Sequence, residues 1–469
     1  MTRARRCLPL ALLCLLVSSI FACSQSSLSG ASLELDSVSP GTVSARGGET
    51  LTLRGRGFSD GVQVFVRDQA LTANVVDGST LQATMPPSYA GKADVTVKLQ
   101  DSTATLKSAL TITPLPLDFA EAPAWTLPKL PGPVDVLGSS AAGPLAGGAW
   151  GLDLLTCAKG TVSALPVTAL VSGSADAATM PAVLALASAP SGLRVAVCVD
   201  ATPALEFLEA KAGSLVGNGS ADPGGACVKL AMGSVQPDNP WVYALVQTDS
   251  GLALKAWMPG STYKAVTVET PAFPPTVDAF AAADLNGDGG DDLIVAGTDG
   301  TTPSLAAWMR STAKDGSLVF TDEGTIPPRA TRTYALVPAD FEGDGNTDVF
   351  AAGEGADSFY VNDGHGHFAD ESWSRLPFSR ATAAAAATAD FDRDGRLDLV
   401  VATPDAADRL YLGTDSGFED QTPALGLTPD LGGDAVVLDD LDHDGDTDVI
   451  TATAADHALR IRWMVAPGG

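Results

Sequence analysis

Basic residues are scarce in this chain. Lys and Arg total 28 against 56 Asp and Glu, a formal net charge of −28 at neutral pH. Affinity for phosphate needs a basic face, so nucleic acid is excluded as a partner, while cations, glycans and proteins are not. Histidine is nearly absent, with four copies (His365, His367, His443, His457). No GxSxG, HExxH or phosphate-binding glycine loop occurs. The six cysteines show no CxxC and no Cys/His spacing, which leaves zinc and thiol chemistry without ligands or a nucleophile. Charged residues are only 18% of the chain, too few for a disordered polyelectrolyte. With 45% hydrophobic residues, 48 Gly and 31 Pro, the 469 residues describe a turn-rich globular protein of two or three domains.

The single long apolar run is at the N-terminus. MTRARR is a basic leader, and LPLALLCLLVSSIFA is apolar but short for a membrane span. It stops at Ile20-Phe21-Ala22-Cys23, before a polar SQSSLSG. This resembles a bacterial lipobox, although Phe21 departs from the usual residue two before the cysteine. The expectation is a lipoprotein signal peptide over 1–22, a lipidated Cys23 and a flexible linker over 23–32. The protein would then sit in the bacterial cell envelope, lipid-anchored, with Ser24 favouring the outer membrane. An ordinary secretory signal and an uncleaved anchor are the alternatives. Cys7 and Cys14 leave with the signal, so Cys157, Cys198 and Cys227 remain in an oxidising compartment. One disulfide and one buried free thiol are expected.

Residues 33–113 alternate with period two. Leu51 and Leu53 oppose Thr50, Thr52 and Arg54, and Val95, Val97 and Leu99 oppose Asp94, Thr96 and Lys98. Such strands are half-buried in an antiparallel sandwich. The run SVSPGTVSARGGETLTLRGRGF, then VQVFV and ATMPPSYAGKADVTV, resembles an IPT/TIG domain, an immunoglobulin-like fold. The resemblance rests on Ser39-Pro40, Gly47-Gly48, Gly55, Gly57-Phe58 and Pro86-Pro87. Its glycines are expected to supply positive-φ turns, and it implies a spacer or binding module.

Beyond it lies a repeat. DLNGDGGDDLIV begins at Asp284, DFEGDGNTDVF at Asp340, DFDRDGRLDLV at Asp390 and DLDHDGDTDVI at Asp440. A spacing of about 50 residues suggests propeller blades. Each copy follows an alanine-rich apolar run, suited to an innermost strand near a narrow axis, and precedes a second strand. WGLDLLTC (150–157), LRVAVCV (193–199) and WVYALVQ (241–247) fit the second strand of three further units without acidic loops. Seven blades over 117–469 follow, with six or eight as alternatives, and the whole chain is all-β. The last unit lacks a closing strand, whereas FAEAPAWTLP at Phe119 matches the outer strand FADESWSRLP at Phe368. Residues 117–127 are therefore expected to complete the final blade and hide the open edges.

The acidic loops 284–292, 340–348, 390–398 and 440–448 each fit D-x-[DNE]-x-D-G-x-x-D. Side chains at one, three and five surround a tight turn, glycine at six permits the bend, and a carboxylate returns at nine. An all-oxygen, charged ligand set suits Ca²⁺ over Zn²⁺ or Cu²⁺, with Mg²⁺ a poorer fit. An EF-hand needs Glu at position twelve, where Val295, Ala351, Val401 and Thr451 stand. The loops resemble the FG-GAP/VCBS repeats of integrin α-subunit propellers. That resemblance implies up to four structural calcium ions. The first site would be Asp284, Asn286, Asp288 and Asp292 with the Gly290 carbonyl. The second would be Asp340, Glu342, Asp344 and Asp348 with Asn346. The third would be Asp390, Asp392, Asp394 and Asp398 with Arg396, and the fourth Asp440, Asp442, Asp444 and Asp448 with Asp446. Solvated acidic turns are the competing reading.

Paired acid/base carboxylates need environments that separate their pKa values, and equivalent repeats do not offer them. NDGHGHF, with His365 and His367, resembles the family's turn between outer strands. The functional expectation is a non-catalytic, adhesion-type surface lipoprotein, stabilised by calcium, that binds a protein or glycan through its propeller. The alternative is a propeller lyase or hydrolase acting on extracellular polysaccharide.

Overall fold

The computed structural model describes residues 32–117, 119–121, 128, 130–158, 161–171, 182–201, 204–425, 432–453 and 459–464. The signal peptide, Cys23 and most of the linker lie outside the described residues. The contacts divide the chain into two compact units, centred on the N-terminal sandwich and on the long C-terminal region.

In the sandwich the hydrogen-bonded order is Glu34–Ser39, Thr50–Arg56, Thr80–Thr84, Gln69–Asp77, Gln63–Val66, Gly91–Leu99, Ser102–Thr113 and Thr42–Ser44. Gln69–Asp77 joins the two layers, because its first residues pair with Gln63–Val66 and its later ones with Thr80–Thr84. The period-two residues Leu51, Leu53, Val95 and Val97 are fully buried. Gly47, Gly48 and Gly57 adopt the positive φ expected of turn glycines. Gly55 does not. A side chain there would collide with the Glu34 carbonyl and the Phe58 ring, so this glycine permits close approach instead.

The remaining chain forms seven antiparallel blades. Blade 1 is Val136–Gly138, Leu145–Gly148, Gly151–Ala158 and Thr161–Pro166, and blade 2 is Val183–Ser188, Arg194–Val199, Leu205–Lys211 and Ser214–Ala221. Blade 3 is Ala226–Met232, Val242–Thr248, Gly251–Met258 and Lys264–Val266. Blade 4 is Thr276–Ala283, Asp292–Thr298, Pro303–Thr312 and Leu318–Thr325, extended by a parallel Val268–Glu269. Blade 5 is Ala330–Ala339, Asp348–Gly355, Ser358–Asn362 and Phe368–Asp370. Blade 6 is Ala385–Ala389, Asp398–Ala402, Arg409–Thr414 and Gly417–Asp420. Blade 7 is Gly433–Asp439, Asp448–Thr453 and Leu459–Met464, closed by Phe119–Glu121. Each innermost strand touches the next, and that of blade 7 touches that of blade 1, so the ring is complete.

Burial concentrates between blades. Phe341, Phe350, Phe359, Leu399 and Tyr411 fill the space between blades 5 and 6, and Val134, Leu155, Val437, Ile450 and Trp463 that between 7 and 1. One expectation needs correction. WGLDLLTC falls in the third strand of blade 1 rather than the second. The second strand is the four-residue Leu145–Gly148, whose two glycines carry no alternation to read. Cys198 and Cys227 form the disulfide, linking blades 2 and 3, while Cys157 stays unoxidised and is half-buried rather than buried.

The closing strand pairs Phe119 with Met464, Ala120 with Trp463 and Glu121 with Arg462. The rest of the expected closing segment, save Leu117, lies outside the described residues. Phe119 is buried, with its ring edge-on to Phe391 at 5.6 Å. Phe119→Ala should cost about 3–5 kcal/mol in chemical denaturation. Amide exchange should accelerate first in residues 459–464.

Candidate functional site

Each acidic loop joins the innermost strand of a blade to its second strand. Position nine is the first residue of that second strand, paired in register with the last residue of the innermost one: Ala283 with Asp292, Ala339 with Asp348, Ala389 with Asp398 and Asp439 with Asp448. The four ninth-position aspartates are at most 1% exposed. In each, Oδ1 accepts a hydrogen bond from the third strand, through the N–H of Arg310, Asn362, Gly413 and Met464 at 2.7–3.1 Å. In three, Oδ2 accepts from the second loop residue, Leu285, Phe391 or Leu441, at 2.8–3.1 Å. These carboxylates hold the loop and two strands together before any ion is considered.

The exposed part of the loop is equally regular. The first aspartate accepts from the N–H of glycine six through Oδ2 in every copy, Gly289, Gly345, Gly395 and Gly445. The fifth accepts from the N–H of position seven, Gly290, Asn346, Arg396 and Asp446, at 2.8–2.9 Å. Glycine six has positive φ throughout, as its place in the turn requires. So does position four, which is Gly287, Gly343, Arg393 and His443. The two glycines at that position were the available signal for this second left-handed turn. Position two was also open to view: Leu285, Phe341, Phe391 and Leu441 are all buried and anchor the loop in the blade.

Two loops gather their acids closely. Oxygens of Asp390, Asp392 and Asp398 lie within 4.8 Å of one another, as do those of Asp440, Asp442 and Asp444. Asp440 Oδ1 is buried without a protein donor. That donor set, charged oxygens facing one another with an unsatisfied lone pair, fits a hard cation. The other two loops are looser. Asn286 donates weakly to Asp288 at 3.4 Å, and Glu342 is turned aside into an ion pair with Arg375. The charge of Glu342 nonetheless still helps to raise the Asp348 pKa, after burial.

Position seven does more than offer a carbonyl. Arg396 bonds Asp394 at 2.7 Å and also pairs with Asp415. The Asp446 side chain is buried and faces Arg393 at 3.3 Å, while Arg393 also donates to the Gly445 carbonyl. Neighbouring repeats are further joined by side chains without a sequence signature. Asp291 accepts from Ser234 and Val235 of blade 3 at 2.8 and 3.0 Å, and Asn362 donates to Leu285 O at 2.8 Å. Ser139 of blade 1 donates to Asp439 of blade 7 at 3.0 Å. His367 Nδ1 lies 2.9 Å from Asp363, within its own turn.

The family comparison agrees with this geometry. FG-GAP-like repeats match residues 284–351, 340–401 and 390–451, and an IPT/TIG domain matches residues 33–113. The chain carries FG-GAP-like repeats and an IPT/TIG domain. Similar solved structures include a protein of unknown function from Bacteroides thetaiotaomicron, 11% identical over 92% of this chain and 98% of that one, TM-score 0.44. An auxiliary nutrient binding protein from Bacteroides ovatus is 11% identical over 79% and 95%, TM-score 0.36. A protein from Lactobacillus plantarum is 12% identical over 68% and 87%, TM-score 0.42. No curated protein matches the chain significantly.

Burial sets the electrostatics of the FG-GAP-like loops. It pushes Asp292 and Asp348 up to about 6, and Asp398 and Asp448 up to about 8. Asp392 also rises to about 6, through burial and then the charge of Asp394. In the unfolded chain such carboxyls titrate near ~4. Between that value and about 8 the ion-free folded protein therefore holds more protons than the unfolded one, and its stability falls as pH rises. In chelator, the urea midpoint should decline steadily from pH 5 to pH 8.

Proposed function

We propose that this is a non-catalytic binding protein of the bacterial envelope, lipid-anchored through Cys23, whose FG-GAP-like propeller is fastened by calcium and engages a protein or glycan. The convergence of Asp440, Asp442 and Asp444 around a buried, donorless Asp440 Oδ1 carries the calcium part of this reading. Asp390, Asp392 and Asp398 would hold an ion in the third loop, and Asp284, Asn286, Asp288 and Asp292 in the first. In the second, Glu342 must first leave Arg375. The acids serve as loop ligands and backbone acceptors, which supports a fastening role over acid/base chemistry. A bound dication supplies the opposite charge that crowded carboxylates need. The Cys198–Cys227 disulfide supports an oxidising compartment.

Extracellular calcium modules bind with Kd of roughly 10⁻⁴ to 10⁻³ M. Calcium at ~1 mM should then add about 0.4–1.4 kcal/mol per site over chelator. Thermal melts should separate accordingly, with exchange protection gained in blades 4 to 7. Coincident melts in calcium and chelator would refute the calcium reading. For the anchor, Cys23→Ser should release the protein from membranes in cell fractionation, and unchanged membrane retention would remove it.

A further inference from the structure

The connection between blades 5 and 6 carries an exposed aromatic platform. Trp373 and Phe378 are 73% and 63% exposed. Their rings are parallel within 9°, with centroids 6.0 Å apart. At that separation the rings overlap little, and both stay largely exposed although Arg329 lies over the Trp373 ring and Arg380 over the Phe378 ring. Trp373 belongs to the short helix Ser372–Arg375. Ser372 is buried, donates to Asp370 at 2.6 Å and accepts from the Phe359 N–H at 2.9 Å. Arg329 lies 4.7 Å over the Trp373 ring and donates to Asp370 at 2.8 Å. The platform is therefore preorganised, which lowers the entropy lost when a ligand settles on it.

Of the arginines around the platform, Arg329 pairs with Asp370, and Arg375 with Glu342 and Glu371. The Arg380 guanidinium lies 5.4 Å from the Phe378 ring, and Arg380 makes no ion pair among the described residues. A shallow cleft lined by Arg329, Asp357, Ser372, Trp373, Pro377 and Phe378 runs beside it. An exposed arginine outside any ion pair among the described residues, next to two exposed aromatic rings, is the cation an anionic ligand would meet here. A flat, shallow surface without a deep apolar socket offers a peptide side chain little to fill. It suits the C–H face of a pyranose ring lying on an aromatic face, with a carboxylate reaching the guanidinium.

We infer that Trp373, Phe378 and Arg380 form a subsite for an acidic saccharide bearing uronate groups. The inference deepens the binding role proposed above and rests on it. The sugar ring stacks on Trp373 and Phe378, and Arg380 selects the uronate over its neutral counterpart. Arg329 and Asp370 position the Trp373 ring.

Calorimetric titration of the full chain with tetragalacturonate, and with cellotetraose as the neutral control, tests this in calcium and in chelator. Native protein should bind tetragalacturonate, more weakly as salt rises. Trp373→Ala should weaken it about tenfold. Arg380→Gln should weaken tetragalacturonate and leave cellotetraose unchanged. Arg380 is exposed, so unchanged melting of that variant keeps the result readable even if Trp373→Ala perturbs its loop. Equal affinity in native protein and both variants would overturn the subsite while leaving the binding role intact. So would binding that vanishes in chelator yet survives both substitutions, since the acidic loops would then be the site. No tetragalacturonate binding by native protein overturns the saccharide assignment, and a protein partner lost on Trp373→Ala would then keep the platform for a different ligand.

Discussion

A buried carboxylate that accepts from backbone N–H groups is the contact on which each acidic blade depends. Asp292, Asp398 and Asp448 each accept once from the loop and once from the third strand. An aspartate so placed has little access to water, and burial alone pushes its pKa well up. Its hydrogen bonds offset part of that cost, and a nearby cation would offset more. The same residue therefore serves as strand start, loop anchor and candidate ligand. This explains why position nine is an aspartate even in the second loop, where Glu342 has turned to Arg375.

The second constraint is closure. Seven sheets packed face to face bury large apolar surfaces only if the last meets the first, as Val134, Leu155, Ile450 and Trp463 do. Blade 7 has three strands from its own stretch of chain and takes its fourth from Phe119–Glu121. The two ends of the propeller are thereby fixed in one sheet, and a row of unpaired backbone groups is covered. Ser139 and Asp439 add a polar contact across the same junction. Asp439, the extra aspartate before the fourth loop, thus joins two blades.

The propeller was legible because its repeats are nearly identical where the backbone demands it. Glycine at position six, aspartate at nine and a strand before them recur in all four later blades, and that strand is richest in alanine in blades 4 and 6. The closing strand was legible for a related reason, since Phe119 reproduces the start of an outer strand. What failed was local. Blade 1 hides its second strand in Leu145–Gly148, too short and too rich in glycine for alternation, so a third strand was taken for it. The disulfide could not be assigned from three cysteines, because pairing depends on which strands become neighbours. Arg375, Arg393 and Asn362 were invisible as partners of the loops, as each comes from a different part of the chain.

Topology decides which loops share an end of the blades. In an antiparallel blade, loops between strands one and two share an end with turns between strands three and four. Gly364, in such a turn, lies beside both Gly287 and Asn346 of the acidic loops. The connections between strands two and three emerge at the other end, where Asp357 pairs with Arg409 and lines the cleft beside Trp373. The acidic loops occupy one end of the blades, and the helix Ser372–Arg375 reaches from the Asp357 connection back toward them, where Arg375 pairs with Glu342 and packs on Gly417. A cation bound in the second loop would compete with Arg375 for Glu342, so occupancy of that loop and the position of the Trp373-bearing helix would be linked.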